Sequence, residues 1–202
     1  MVKLTYHIAK NGGHNKMDGI VSINTSTLSN PFCQKMMKVK DSVCSKCYTK
    51  RYNTSNNDSF YLHNMEELER ADFVPFRINN SVVRFHAIGE LTGEQMFKNM
   101  ITLARFNPNS TFTLWTKRPE IVSNVLSVMR KPKNLILIYS SPVRNTAVSI
   151  DTIGKHFDKV FTVYELKYAK ENGIELNCEK SCMQCMKCYT KNKIKYINEQ
   201  AK

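Results

Sequence analysis

Two kinds of segment alternate along the chain. Runs rich in β-branched and aromatic residues recur at Ile20 to Thr25, Val82 to Ile88, Thr111 to Thr116, Leu135 to Ser140 and Lys159 to Tyr164. Several are almost continuously apolar, as strands covered on both faces should be. Stretches with a helical period lie between them, so the pattern predicts βα units and a mainly parallel sheet.

The helices carry their own punctuation. In TGEQMFKNMITLARF, Thr92 and Gln95 have capping-box spacing, and Met96, Phe97, Met100, Ile101 and Ala104 share one face. Pro119 opens PEIVSNVLSVMR, where Ile121, Val122, Val125, Leu126 and Met129 form a stripe that Pro132 ends. Shorter helices are predicted near Thr152 to Phe157 and Leu166 to Glu171. The segment 53–78 is polar at first, then carries Tyr61, Leu62, Met65 and Leu68 at helical spacing, which predicts a crossover helix before a loop at Pro75. No repeat or low-complexity linker interrupts the pattern. The expected architecture is a single α/β domain over residues 1–202, a partial (β/α) barrel-like parallel sheet with cysteine-rich metal-binding segments at both ends, residues 178–202 forming a C-terminal extension.

Composition narrows the class. At 202 residues, with 42% hydrophobic and 10% aromatic content, the chain can bury a substantial core, which argues against disorder as the main state. The first residues lack the apolar core of a signal peptide, and no run approaches the roughly 18 residues of a membrane span, so a cytoplasmic protein without a membrane partner is expected. A net charge of +13 and a pI near 9.4 make nucleic acid or another polyanion an expected partner, against the plainer reading of a solvated lysine-rich surface. Oligomeric state leaves no mark in the sequence.

Cysteine placement changes the picture most. All seven cysteines fall into two groups, with none between Cys47 and Cys178, where most of the predicted core lies. In a reducing compartment structural disulfides are rare, and core packing does not explain such clustering. Cys178, Cys182, Cys185 and Cys188 are spaced C-x3-C-x2-C-x2-C, short enough to wrap a four-iron four-sulfur cube; zinc is the competing ion, although structural zinc usually draws on two separated pairs. Cys33, Cys44 and Cys47 supply one thiolate fewer than a closed site needs. Three thiolates on a cube leave one iron open, the arrangement of a catalytic centre. A redox dithiol, or a zinc site completed by His7, His14 or His86, is the alternative here. Lys35, Lys38, Lys40, Lys46, Lys50 and Arg51 surround this first group, and Lys180, Lys187, Lys191, Lys193 and Lys195 surround the second. Such charge favours thiolates and attracts anions.

Further candidates sit where parallel sheets place ligands, at the carboxyl ends of strands. Gly89 would admit a ligand close to the backbone, and Glu90 could accept from an amine or a ribose hydroxyl; a plain turn with a solvated carboxylate is the alternative. Arg84 and His86 are charged or polar positions within an apolar strand and call for an internal partner. Trp115, Lys117 and Arg118 end the third strand and offer stacking and anion contacts.

NKM, SINTS, the three-cysteine group with CSKCY, RFHAIGEL, TLWTKRPE and the terminal four-cysteine run occur in this order. With them the chain resembles the phage family called gene product eighty-eight and, more distantly, the radical S-adenosylmethionine enzymes. The second resemblance implies a full or partial (β/α) barrel, a cluster on three cysteines whose open iron is chelated by the methionine part of S-adenosylmethionine, and Gly89 and Glu90 as the cofactor's amine-binding positions. The usual cysteine spacing there is C-x3-C-x2-C, whereas ten residues separate Cys33 from Cys44, and Lys46 stands where an aromatic is usual. The expected function is that of an iron–sulfur protein with two 4Fe-4S clusters, redox or radical chemistry, S-adenosylmethionine as an implied cofactor and an electron donor as partner. For a phage-encoded chain the compartment would be the host cytoplasm. A basic nucleic-acid-binding protein with structural metal is the alternative.

Overall fold

The computed structural model describes residues 4, 7–8, 16–51, 55–178 and 180–201. Strands are β1 (His7–Ile8), β2 (Val21–Ile23), β3 (Val82–Phe85), β4 (Thr111–Thr116), β5 (Leu135–Ser140), β6 (Lys159–Tyr164) and β7 (Tyr196–Gln200). Helices are α1 (Pro31–Met36), α2 (Ser55–Glu69), α3 (Glu94–Phe106), α4 (Pro119–Val128), α5 (Leu166–Glu171) and α6 (Cys182–Cys185). The sheet order follows the sequence from β1 to β7; β2 to β7 are all parallel, and β1 joins β2 antiparallel.

Strand alternation divides the core into two faces. Val21, Ile23, Val83, Phe85, Phe112, Leu114, Leu135 and Leu137 pack with Met65 and Leu68 of α2, Phe97 and Met100 of α3, and Val122 and Val125 of α4. The other face carries Ile20, Trp115, Ile136 and Ile138, and it is covered by Tyr189, Cys182, Met186 and Cys188 of the terminal segment. A sequential parallel sheet with its long helices on one face leaves the opposite face to be filled by something else, and here the cysteine-rich tail fills it.

The sheet does not close. The segment before β2 is tied to the terminal segment and to β7: Lys16 Nζ donates to Cys178 O (2.5 Å) and Glu199 Oε1 (2.9 Å), while Cys182 N donates to Lys16 O (2.7 Å). Burial pulls the Lys16 ammonium down, but Glu199 and Cys178 outweigh it and raise it to about 12, so this tie stays charged.

Four predicted elements differ from those observed, and the first is the strand expected over Ile20 to Thr25, which spans only Val21–Ile23. The strand expected to reach Ile88 stops at Phe85, because His86 adopts a left-handed backbone with φ of 59°. The Thr92 and Gln95 capping box does not form: Gly93 is the N-cap, Thr92 Oγ1 points to Met96 Sδ, and Gln95 bonds Asn99 instead. The helix expected at 152–157 is a short 3-10 turn at Ile150–Thr152, held by Ser149. β7 escaped the sequence pattern, since in YINEQ only Ile197 is buried and the strand exists through its pairing with β6. Phe97 is fully buried in α3 and Val128 is 77% exposed. Phe97→Ala is expected to lose about 3–5 kcal/mol of stability in urea unfolding, and Val128→Ala no more than about 0.5 kcal/mol.

Candidate functional site

The first cysteine group is carried to the carboxyl edge of the sheet by a chain of local bonds. Asn30 caps α1, its Oδ1 accepting from Phe32 N (2.9 Å) and Cys33 N (3.2 Å), while its Nδ2 donates to Glu90 O (2.9 Å). The loop holding Cys44 and Cys47 is fastened to the exit of β5 by a bridge between Ser42 and Val143 and by Val43 N to Pro142 O (2.8 Å). Tyr48 fastens it to the exit of β3 through its hydroxyl bond to Ala87 O. Cys47 Sγ lies 3.0 Å from Thr49 Oγ1.

Electrostatics show that these thiols share a neighbourhood. Burial pushes the Cys33 thiol up to about 12, with Glu90, Cys44 and Cys47 adding to the effect and Lys117 opposing it. Cys44 is raised by burial as well, again against Lys117. Unmetallated, both stay protonated at neutral pH; a bound cation and the Lys117 ammonium are what would favour the thiolates. Among the described residues no group of three or more His, Cys, Asp or Glu side chains is arranged to hold a metal ion. The thiols are neighbours without converging on one point.

Glu90 is buried (3% exposed) and internally committed. Its Oε1 accepts from Leu91 N (2.8 Å) and Thr116 Oγ1 (2.6 Å), and its Oε2 accepts from Lys117 N (2.8 Å). Burial raises its carboxyl, with Lys117 and these donors opposing. Gly89, at φ of 105°, lies against the exit of β2: an added Cβ would come 2.0 Å from Thr25 Oγ1 and 2.7 Å from Thr25 O. Here the backbone approaches another strand's exit rather than open space. Lys117 Nζ reaches Ser140 Oγ (3.3 Å), and Arg118 donates to Leu91 O (3.1 Å) and stacks over Phe32 (4.8 Å).

Arg84 lies on the sheet face that the long helices leave bare. Its guanidinium stacks on Trp115 at 3.9 Å, and Trp115 in turn packs on Tyr189 with centroids 5.5 Å apart. His86 turns out of the strand and is 3% exposed, with no hydrogen-bond partner at either ring nitrogen. Burial, then Arg84 and Lys117, lowers its pKa to about 3. Of the other histidines weighed as zinc ligands, His14 and the side chain of His7 lie outside the described residues.

The terminal group covers the bare face. Cys178 N donates to Asn198 O (3.2 Å), Cys182 opens α6, and Met186 ends it in a left-handed conformation with φ of 50°. Burial raises Cys188 to about 12, with Cys178, Cys182 and Cys185 adding and Arg84 opposing. Lys159, a lysine in an apolar strand, is 1% exposed and pins the tail through Asn192 Oδ1 (2.7 Å) and Ile194 O (2.8 Å). Lys159, Asn30, Thr116 and Tyr189 were not legible as site residues; only the charge inside KVFTVY gave a signal. A surface depression bordered by Arg77, Asn79, Ser81, Asn107 and Ser110 lies at the opposite, amino-terminal edge, away from every candidate.

An open parallel sheet with one cysteine group over its carboxyl edge and another on its bare face defines a cysteine-rich α/β protein. The family model described as gene product 88 matches residues 8–201, and the chain belongs to that family. No curated protein and no solved structure matches it. Among the described residues no helix is long and apolar enough to cross a membrane.

Two outcomes follow for the β3 exit. Gly89→Ala should destabilise by about 2 kcal/mol or more, read as a lowered melting temperature, because Thr25 must move and a side chain at positive φ is strained. His86 gives a pH signature. An unfolded histidine titrates near 6.5 and the folded one near 3, so the unfolded state binds the extra proton in this window. Its stabilising contribution is full above pH 6.5 and is lost on acidification by about 1.4 kcal/mol per unit. Glu90 works oppositely, since its raised carboxyl takes up a proton more readily in the folded state. His86→Gln should therefore flatten the acid-side loss in urea midpoints measured from pH 7 to 4; an unchanged slope would show that the ring is solvated.

Proposed function

We propose that this chain is an iron–sulfur protein in which Cys33, Cys44 and Cys47 hold an open 4Fe-4S cluster and Cys178, Cys182, Cys185 and Cys188 hold a second, with zinc as the alternative at the terminal site. The carrying observation is the gathering of three cysteines from α1 and the following loop over the carboxyl ends of β3 to β5, beside Lys117. Thiol donors that feel one another's charge fit a polynuclear metal group better than isolated cysteines do, and three donors leave one coordination position free.

A bound cluster supplies one-electron chemistry at its open position. The chain's own residues do the rest: three thiolates hold it, Lys117 offsets its negative charge, and burial of Cys33 and Glu90 keeps water away. The radical S-adenosylmethionine likeness is supported by the sequential parallel strands, the long helices on one face, and Gly89 and Glu90 at the exit of β3. Glu90 Oε2 accepts only one described hydrogen bond and keeps a lone pair for an amine. S-adenosylmethionine and an external electron donor are accordingly the proposed cofactor and partner.

A second reading has its own observation. Lys35, Lys38, Lys40 and Lys46 are exposed around the first group and form no ion pair among the described residues, as a phosphate-binding surface requires.

Anaerobically purified protein should contain iron and acid-labile sulfide and absorb in the visible, and Cys44→Ala and Cys185→Ala should each remove about half of the iron. Colourless protein containing zinc alone would sink the iron–sulfur reading. For the second reading, binding of single-stranded DNA or RNA should fall with a log–log salt slope of about −3 for four lysine contacts, and a flat salt dependence would count against it.

A further inference from the structure

Six buried side-chain polar atoms lack a hydrogen-bond partner among the described residues, and three of them belong to two neighbouring residues at the end of β3: Arg84 Nε and both ring nitrogens of His86. Buried polar groups are nearly always paired, so a cluster of orphans calls for a ligand. Backbone strain coincides with it, since His86 holds a left-handed conformation while its own N–H is fixed to Ile23 O (3.1 Å).

The charges name the ligand's sign. Arg84 has no acidic partner among the described residues; its Nη atoms reach Met17 Sδ (3.3 Å) and His86 O (3.4 Å), poor uses of a guanidinium fork, and its remaining polar neighbour is the neutral Tyr189 hydroxyl. The Lys117 ammonium also bears on His86, and Glu90, which neighbours Lys117, has its oxygens turned to Leu91, Thr116 and the Lys117 amide. A free imidazole can also take a metal cation, but the two positive groups near it repel one. A neutral imidazole N–H, an unfilled guanidinium and an ammonium together suit an anion with several acceptor oxygens.

We propose that Arg84 and His86, with Lys117 behind them, form a seat for the oxyanion of a small molecule, a carboxylate or a phosphate, at the carboxyl end of β3 between the two cysteine groups. Arg84 supplies the fork from the bare sheet face, where Trp115 holds it flat, and His86 supplies one N–H from the loop. The seat stands on side chains of this chain alone and does not rest on the clusters.

The test uses the full chain before and after cluster loading. Trp115 is the sole tryptophan and stacks on Arg84, so its fluorescence reports the seat. Titration with inorganic phosphate, with acetate and with S-adenosylmethionine should give a saturable emission change and a raised melting temperature for at least one probe. A response to phosphate alone assigns a phosphate ligand; a response to acetate or S-adenosylmethionine assigns a carboxylate. Arg84→Gln should weaken that binding at least tenfold, Arg84→Lys less, and His86→Gln several-fold, while Lys98→Gln on α3 leaves it unchanged. The proposal is overturned if no probe changes either signal in the unaltered protein, or if folded Arg84→Gln binds within twofold of it. Absence of iron with intact anion binding would defeat the cluster reading and leave this one standing.

Discussion

The buried carboxylate of Glu90 is the joint on which the carboxyl edge of the sheet depends. Its oxygens take the amides of Leu91 and Lys117 and the hydroxyl of Thr116, which binds the exit of β3 to the exit of β4. Its backbone carbonyl takes the side chain of Asn30, and Asn30 caps the helix that presents Cys33. One residue thus fixes two strand exits and the start of the cysteine-bearing segment. Removing the carboxylate would leave buried donors unpaired, the costliest kind of hydrogen-bond loss.

Around that joint the interior is more basic than a plain core requires. Lys117 stands by the first cysteines, Arg84 by the terminal ones, and Lys159 under the tail that carries them. Buried cations are costly unless something negative meets them. Glu90 neighbours the first, carbonyl and amide oxygens surround the third, and among the described residues Arg84 has the face of Trp115, two weak acceptors and the neutral Tyr189 hydroxyl. The same positive field would favour thiolates on both cysteine groups and an anion at His86, so charge ties the separate candidate positions into one region.

Much of the fold was legible because it depends on local periodicity. Thr111 to Thr116, Leu135 to Ser140 and Lys159 to Tyr164 are strands with the bounds their apolar runs predict, and the Pro119 helix starts at its proline. Bounds failed where a single residue's backbone state decided them, as at His86 and Gly93. The cysteine groups were legible as groups, yet nothing in their spacing told that one would overhang strand exits and the other would cover the bare face of the sheet.

The sequence by itself determined the alternation of strands and helices, the family and the two concentrations of thiols, since these are properties of composition and of neighbours a few residues apart. Only the tertiary structure decided that Glu90 points inward, that β7 is a strand, that Lys16 reaches Cys178 and Glu199 across the open sheet, and that Arg84 Nε and both His86 ring nitrogens are left without a partner among the described residues. Those outcomes depend on which distant segments share a buried volume, and burial changes what a charge or an unpaired donor costs by far more than any local propensity does.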